Sequence, residues 1–154
     1  MSDINIDDFC KDTARTLVTL YSVFPRQHTL FVEDICGVHE PDEFGVHSDR
    51  HLACFHTLLW LAEEGFIRYG DCIRQDAVDR AVLTGRCFTV LCSIPQLLEL
   101  ATPMGTSAGL PESVLLERSM TVNQLRDALR SKSSRRTRAV VLDLFDRMRQ
   151  TPPR

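Results

Sequence analysis

The chain of 154 residues has the length of one domain, or of one compact domain with an appended helical segment. Hydrophobic residues make up 44% and charged residues 25%, which excludes a disordered, collagen-like or coiled-coil composition. No apolar run approaches the roughly 20 residues of a membrane span, and the acidic first residues do not resemble a signal peptide. The six cysteines are therefore expected to be reduced thiols in a cytoplasmic protein.

Charge is distributed unevenly along the chain. The net charge is −3, yet residues 121–154 carry nine basic and three acidic side chains, whereas the rest carries nine basic and eighteen acidic ones. A basic tail on an acidic body indicates a nucleic-acid contact through the tail. Simple attraction between body and tail explains the same pattern, so both interpretations stay open.

The first third of the chain predicts one long helix and several short elements. Apolar side chains recur at three- and four-residue spacing over residues 6–24, which is typical of one helical face. Residues 29–32 are β-prone, and residues 32–36 predict one helical turn. The acidic stretch of residues 37–46, with its proline and glycines, predicts an exposed loop.

A second long helix is predicted after its cap at Ser48. Residues 66–69 then predict a strand, residues 70–71 a tight turn, and residues 72–73 a returning strand. The sheet is expected to continue at residues 80–83.

The C-terminal half predicts further helices around a region rich in proline and glycine. The predicted helices lie at residues 87–91, 96–100, 122–129 and 134–149, with a turn at residues 111–118.

This order of helix, strand, short helix, long helix and hairpin is that of a winged helix-turn-helix domain. Its most specific part is the stretch at residues 58–67 (LLWLAEEGFI), followed by residues 82–86 (VLTGR). Together they resemble the junction of recognition helix and wing in MarR-like bacterial regulators. The resemblance covers residues 6–91 and implies a bacterial or phage protein that is mainly α-helical with a small β-hairpin. The expected organisation is a winged-helix domain at residues 1–92, a connector at 93–112 and a helical segment at 113–150.

The resemblance implies a small transcriptional regulator, without enzymatic activity, that binds double-stranded DNA. In such proteins the second long helix enters the major groove and the wing touches the backbone. By position, the expected DNA contacts are Arg50, His51 and His56 on that helix and Arg68 and Arg74 on the wing. Separately from the resemblance, the basic tail is expected to add phosphate contacts if it lies beside the groove, through Arg130, Lys132, Arg135, Arg136 and Arg138.

Two features favour an alternative, a winged-helix module that binds another protein and no DNA. The loop at residues 37–46 is longer than the usual turn between the paired helices, and residues 1–64 carry four basic and twelve acidic side chains. Because phosphate neutralisation supplies most non-specific DNA affinity, an acidic reading face opposes DNA binding. A protein-binding module is expected to show an exposed apolar patch and a negative recognition helix.

The last predicted helix carries one apolar stripe. It can pack on the first helix, or it can pair with a second subunit, as terminal helices do in the MarR-like proteins that the chain resembles. We expect a homodimer, with an interface formed by Val140, Val141, Leu144, Phe145 and Met148.

Histidines concentrate near the start of the second long helix. His39, His47, His51 and His56 lie among acidic residues, and His47 and His51 have the four-residue spacing of helical metal ligands. No Cys-x-x-Cys pair or helical carboxylate motif supports a metal site, so neither a metal nor another cofactor is expected.

The remaining chemistry-bearing residues predict packing. No nucleophile frame or phosphate loop is present, so no enzymatic activity is expected. The cysteines fall mostly on apolar faces, with Cys72 beside the wing as the most exposed candidate for redox sensing. Trp60 is expected to be a partly buried packing residue.

Overall fold

The structure is a computed structural model that describes residues 3–96 and 109–150. The chain divides into two compact units, Met1–Thr84 and Gly85–Arg154. The predicted boundary at residue 92 lies too late, because the helix after Thr84 packs on other helices of the second unit. Most of the predicted connector at 93–112, including nearly all of the short helix at 96–100, lies outside the described residues.

The first unit begins with helix α1, Ile4–Val23, close to its predicted bounds. Its buried stripe includes Cys10, Leu17 and Leu20, as the apolar periodicity indicated. The helix ends just before Pro25, whose ring cannot continue it. Asp12 is also buried, although it lies outside this stripe, and the apolar pattern did not predict its burial.

The next elements are strand β1, His28–Phe31, and helices α2, Val32–Cys36, and α3, Asp49–Glu63. The predicted cap is confirmed, since the Ser48 hydroxyl accepts a hydrogen bond from the His51 backbone N–H at 3.2 Å. Gly65, which follows α3, has a φ of +84°, a left-handed conformation that glycine adopts without steric cost.

An antiparallel sheet of four strands completes the first unit. Strands β2, Ile67–Arg68, and β3, Asp71–Ile73, both pair with β4, Ala77–Leu83, whose other edge pairs with β1. Strand β4 is therefore central, and α1, α2 and α3 pack with it around one core.

The predicted turn at residues 70–71 is wrong. Strands β2 and β3 run in the same direction along β4, and the chain reverses at residues 74–76, where the Asp76 N–H donates to the Ile73 carbonyl at 3.0 Å. Gly70 has another role, because a Cβ there would lie 2.2 Å from Nε of Arg80. The glycine leaves room for the Arg80 side chain beside the strand.

The second unit consists of helices in the part of the chain that the structure describes. They are α4, Gly85–Leu91; α5, Glu112–Ser119; α6, Thr121–Ser131; and α7, Ser134–Gln150. Three of these were predicted as helices, whereas α5 replaces the single turn expected at residues 111–118. The chain is thus mainly helical with a small antiparallel sheet, which confirms the coarse fold class.

The apolar stripe of α7 lies inside the second unit. Val140, Val141, Leu144 and Met148 are buried within the single chain, and Phe145 is half-buried. Helix α7 packs on α6 and α4, which cover this stripe. The expectation that these residues form an exposed dimer interface is therefore wrong.

A buried arginine links three segments of the second unit. The Arg147 guanidinium donates to the carboxylate of Asp143 at 2.9 Å, to the carbonyl of Ile94 at 3.1 Å, and to the hydroxyls of Ser93 and Thr121. Burial lowers the pKa of Arg147, while Asp143 opposes that shift. The cluster joins the segment after α4 to the start of α6 and the end of α7.

Candidate functional site

A groove of about 730 Å³ lies between α1 and α3. Its lining comes from the first turns of α1 and from one face of α3, where the lining residues lie three or four positions apart or are adjacent. The apolar part of the lining includes Ile4 and Phe9 from α1, and Ala53 and Trp60 from α3. Clefts with apolar walls and a few polar groups are the usual form of binding sites.

Trp60 is held in this groove by two other aromatic rings. The Phe9 ring meets it edge-on, with 5.3 Å between centroids, and the Phe66 ring is stacked near it at 6.0 Å. The Trp60 residue is nevertheless 36% exposed. The prediction of a partly buried packing residue is confirmed, and the remaining exposed surface belongs to the groove.

Arg50 forms an ion pair inside the groove. Its two Nη atoms donate to the two carboxylate oxygens of Asp12, each at 2.6 Å, and its Nε lies 3.5 Å from the Asp8 carboxylate. Hydrogen bonding to Asp12 raises the pKa of Arg50. The guanidinium expected to contact DNA is therefore engaged within the protein.

The exposed stripe of α3 carries no Lys or Arg. Asp49, Ala53, His56, Trp60 and Glu63 follow one another along it at three- or four-residue spacing, and all are exposed. Two carboxylates and an apolar centre are unsuited to a phosphate backbone. The exposed stripe of α3 thus combines an apolar centre with a net negative charge.

His51 lies away from the position expected of a base contact. It is 1% exposed, and its Nε2 lies 2.8 Å from the backbone carbonyl of Gln75. The expectation that His51 faces a DNA groove is wrong, because the ring points into the interior toward the hairpin turn. His56, the other histidine expected to contact DNA, is exposed on α3 and lines the groove between α1 and α3.

The hairpin candidates are exposed but do not form a positive surface. Arg68 and Arg74 both lie on the surface. Residues 67–83 carry three arginines and three aspartates, so the hairpin has no net charge. Its phosphate affinity would depend on those two side chains rather than on a basic patch.

The tail candidates lie around the joint between α6 and α7. Arg130, Lys132 and Arg135 are exposed, and Arg130 pairs with Asp127 at 3.2 Å. Arg136 is half-buried and donates to Oε1 of Gln124 at 2.6 Å. Arg138 is also half-buried. The exposed positive charge of this region therefore comes from Arg130, Lys132 and Arg135.

Three side chains with metal-binding chemistry meet where α3 begins. The rings of His47 and His51 are parallel, with centroids 3.9 Å apart, and Nε2 of His47 lies 3.0 Å from Oδ1 of Asp76. Sequence spacing identified the two histidines but not Asp76, because the carboxylate comes from the hairpin turn. His39 and His56, the other histidines considered, are not members of this group.

All six cysteines are free thiols. Cys10, Cys54 and Cys87 are buried, in agreement with their predicted places on apolar faces, while Cys36, Cys72 and Cys92 are partly exposed. Burial raises the pKa of the Cys54 and Cys87 thiols. These two residues therefore serve as small core side chains.

Comparison with known proteins gives no relative. No family model matches the chain, and neither a curated protein nor a solved structure matches it. The winged-helix resemblance thus depends on the order of the elements and on the residues of the junction. Within residues 3–96 and 109–150, no helix combines the length and the apolar character needed to cross a membrane.

Proposed function

We propose that the first unit is a winged-helix module that binds another protein through the groove between α1 and α3. The order of α1, β1, α2, α3 and the hairpin is the one that the resemblance implies, and β1 extends the sheet beside β4. The observation that carries the interaction role is Trp60, a large ring supported by Phe9 and Phe66 and still exposed in an apolar groove.

The dimensions of the groove fit a short helix. Its lining runs from Ile4 to Asp12 on α1 and from Asp49 to Trp60 on α3. At 1.5 Å per residue these stretches measure about 12 and 16 Å, or about two and three helical turns. An amphipathic helix places apolar anchors one turn apart and so presents them along such a groove.

The charge of the groove defines the partner further. Asp8 and Asp49 line it, whereas the charge of Arg50 is compensated by Asp12. The partner helix is therefore expected to carry Lys or Arg beside its apolar anchors. Peptides with acidic flanks would be repelled.

The chain's own exposed aromatic loop is a poor occupant of this groove. Phe44 is highly exposed at the tip of the loop before α3. Its neighbours Glu40, Asp42 and Glu43 have the same charge as Asp8 and Asp49. Insertion of this loop from a second copy would bring like charges together, so we commit to a basic amphipathic helix.

Trp60 provides a direct test, because it is the only tryptophan in the chain. The probe is a helical peptide of about four turns with leucine anchors and lysine flanks, and the control peptide has glutamate in place of every lysine. We expect the lysine peptide to change the fluorescence of Trp60 with micromolar affinity, and the glutamate peptide to leave it unchanged. Equal binding of both peptides would contradict the proposed recognition.

Two variants that each add one arginine localise the binding. Ala53→Arg fills the exposed wall of the groove, whereas Ser22→Arg lies at the exposed far end of α1. We expect the first to weaken binding of the lysine peptide at least tenfold and the second to leave it nearly unchanged. Equal affinities in the two variants would place binding outside the groove.

DNA binding is the second proposal, and the exposed basic side chains of the hairpin and of the α6–α7 joint favour it. Random-sequence duplex DNA should then bind at about 50 mM salt and dissociate at about 200 mM. A Lys132→Ala, Arg135→Ala double variant should weaken binding to every duplex and reduce the salt dependence. Absence of DNA binding at the lower salt would leave protein binding as the only remaining proposal.

Homodimerisation also stays a prediction, with no interface assigned to it.

A further inference from the structure

The group formed by His47, His51 and Asp76 draws its members from two parts of the first unit. His47 precedes the cap of α3, His51 lies in the first turn of that helix, and Asp76 lies in the hairpin turn. One potential ligand atom from each residue lies within 4.8 Å of the others. Side chains distant in sequence thus present two imidazoles and one carboxylate to a common point.

The hydrogen bond of His51 defines which of its nitrogens is available. Its Nε2 lies 2.8 Å from the Gln75 carbonyl, which can only accept, so the ring hydrogen is on Nε2. The lone pair is therefore on Nδ1, which is buried without a hydrogen-bond partner among the described residues. Metal-binding histidines are commonly held in this way, with one nitrogen bonded to a carbonyl and the other facing the ion.

His47 also has one ring nitrogen near a polar partner and one without a partner among the described residues. Its Nε2 lies 3.0 Å from Oδ1 of Asp76, and its Nδ1 is buried and has no hydrogen-bond partner in the described parts of the chain. The separation of Nε2 and Oδ1 is also near the roughly 3.3 Å between two ligands of a tetrahedral zinc ion, whose bonds are about 2.0–2.1 Å long. Nε2 of His47 and the Asp76 carboxylate are therefore close to the spacing of two ligands on one ion.

We propose that His47, His51 and Asp76 bind a divalent transition-metal ion, with Zn²⁺ as the best match to this ligand set. Two imidazoles and a carboxylate are typical of zinc sites with three protein ligands and one open position. One ion cannot lie in the planes of two parallel rings, so coordination by both requires a rotation of the His47 ring. His47 precedes the helix, whereas His51 is fixed by α3 and by Gln75.

Binding would tie the start of α3 to the hairpin turn. An ion that binds only the folded arrangement stabilises it, so thermal unfolding should shift to higher temperature as the metal concentration rises. The ligands are distinct from the residues that line the groove. The metal proposal and the peptide proposal therefore concern different side chains and can be tested separately.

The test uses the full chain under reducing conditions, with Co²⁺ and Zn²⁺ as the probes. We expect one ion per chain by calorimetry, and visible Co²⁺ absorption bands of the tetrahedral type. The near-ultraviolet charge-transfer band of a thiolate ligand should be absent, since no cysteine belongs to the group. A strong thiolate band, or no binding up to about 1 mM metal, would overturn the proposal.

Variants of the two more exposed ligands complete the test. His47→Ala and Asp76→Asn should each weaken Co²⁺ and Zn²⁺ binding at least tenfold. Mutation of a residue that only supports a metal ligand already lowers the affinity about tenfold or more, and loss of the ligand itself should lower it further. His39→Ala is the matched control, a partly exposed histidine of the loop before α3 that belongs neither to the group nor to the groove lining, and it should bind as the parent does. Circular dichroism confirms that each variant is folded. Unchanged binding in both ligand variants would refute the site.

Discussion

Asp12 of α1 and Arg50 of α3 are joined by two parallel hydrogen bonds of 2.6 Å each. Asp12 is only 1% exposed, so its carboxylate depends on the guanidinium for compensation of its charge. The pair connects the two walls of the groove. A residue that the winged-helix resemblance assigns to DNA thus has a structural role in this chain.

Replacement of Arg50 by alanine should destabilise the protein strongly. The change leaves the Asp12 carboxylate buried without its partner, so the free energy of unfolding should fall by about 3–5 kcal/mol. Urea denaturation measures the effect. Arg68→Ala, which removes an exposed arginine from the same unit, should change it by less than about 0.5 kcal/mol.

A double variant separates the ion pair from other effects of the arginine. Asp12→Leu combined with Arg50→Met replaces both charges by apolar side chains and should recover most of the lost stability. A cost below about 1 kcal/mol in Arg50→Ala would show that the pair contributes little. Ligand binding by Arg50→Ala is to be compared with that of the parent protein only under conditions in which the variant is folded.

The sequence predicted the elements that depend on local patterns. The stripe of Leu17 and Leu20, the cap at Ser48 and the left-handed end at Gly65 all follow from spacing or from backbone freedom over a few residues. The tight turn was misplaced, because Gly70 accommodates the Arg80 side chain instead of a reversal. A glycine that forms a turn and a glycine that leaves room for a side chain cannot be distinguished from the sequence alone.

The candidate sites were less predictable, because their contacts are distant in sequence. Asp12 and Arg50 are 38 positions apart, and a charged residue is normally read as exposed. Nothing in the local pattern around His47 and His51 indicates that Asp76 approaches them.

The Thr29 hydroxyl should control the acidity of Asp79. It donates to Oδ1 of Asp79 at 2.7 Å, and this bond lowers the pKa of the carboxyl. A lowered folded-state pKa contributes stability above the unfolded value near 3.9, and that contribution is lost as the pH falls through the folded value. Thr29→Val should therefore raise the pKa of Asp79 toward its ordinary value, as measured by carbon NMR of the carboxyl group.

A matched variant controls for the loss of a hydroxyl. Thr89→Val changes an exposed threonine of α4 and should leave the pKa of Asp79 unaltered. If the Thr29 variant also leaves it unaltered, the hydroxyl is not the cause of the shift.

Two arginines of α7 should contribute very differently to the free energy of unfolding. Arg147→Ala removes the partner of the buried Asp143 and the donors to Ser93 and Thr121, so we expect a loss of about 3–5 kcal/mol in the free energy of unfolding. Arg149→Ala removes an exposed arginine that pairs with Asp146, and its effect should stay below about 1 kcal/mol. Guanidinium chloride denaturation compares the two, and similar midpoints would contradict the structural role of Arg147.

The cysteines should separate into two classes of reactivity. The thiolate is the reactive form, and burial disfavours it in Cys54 and Cys87. Alkylation of the folded protein, followed by mass spectrometry, should therefore label Cys72 within minutes and label those two only after unfolding. Equal labelling rates would show that the core opens far more often than its packing implies.

The division of the chain after Thr84 has a consequence for how such a protein can change over evolutionary time. Every residue of the groove and of the histidine–aspartate group belongs to the first unit. Recombination at this boundary would therefore transfer the complete groove and the complete histidine–aspartate group together.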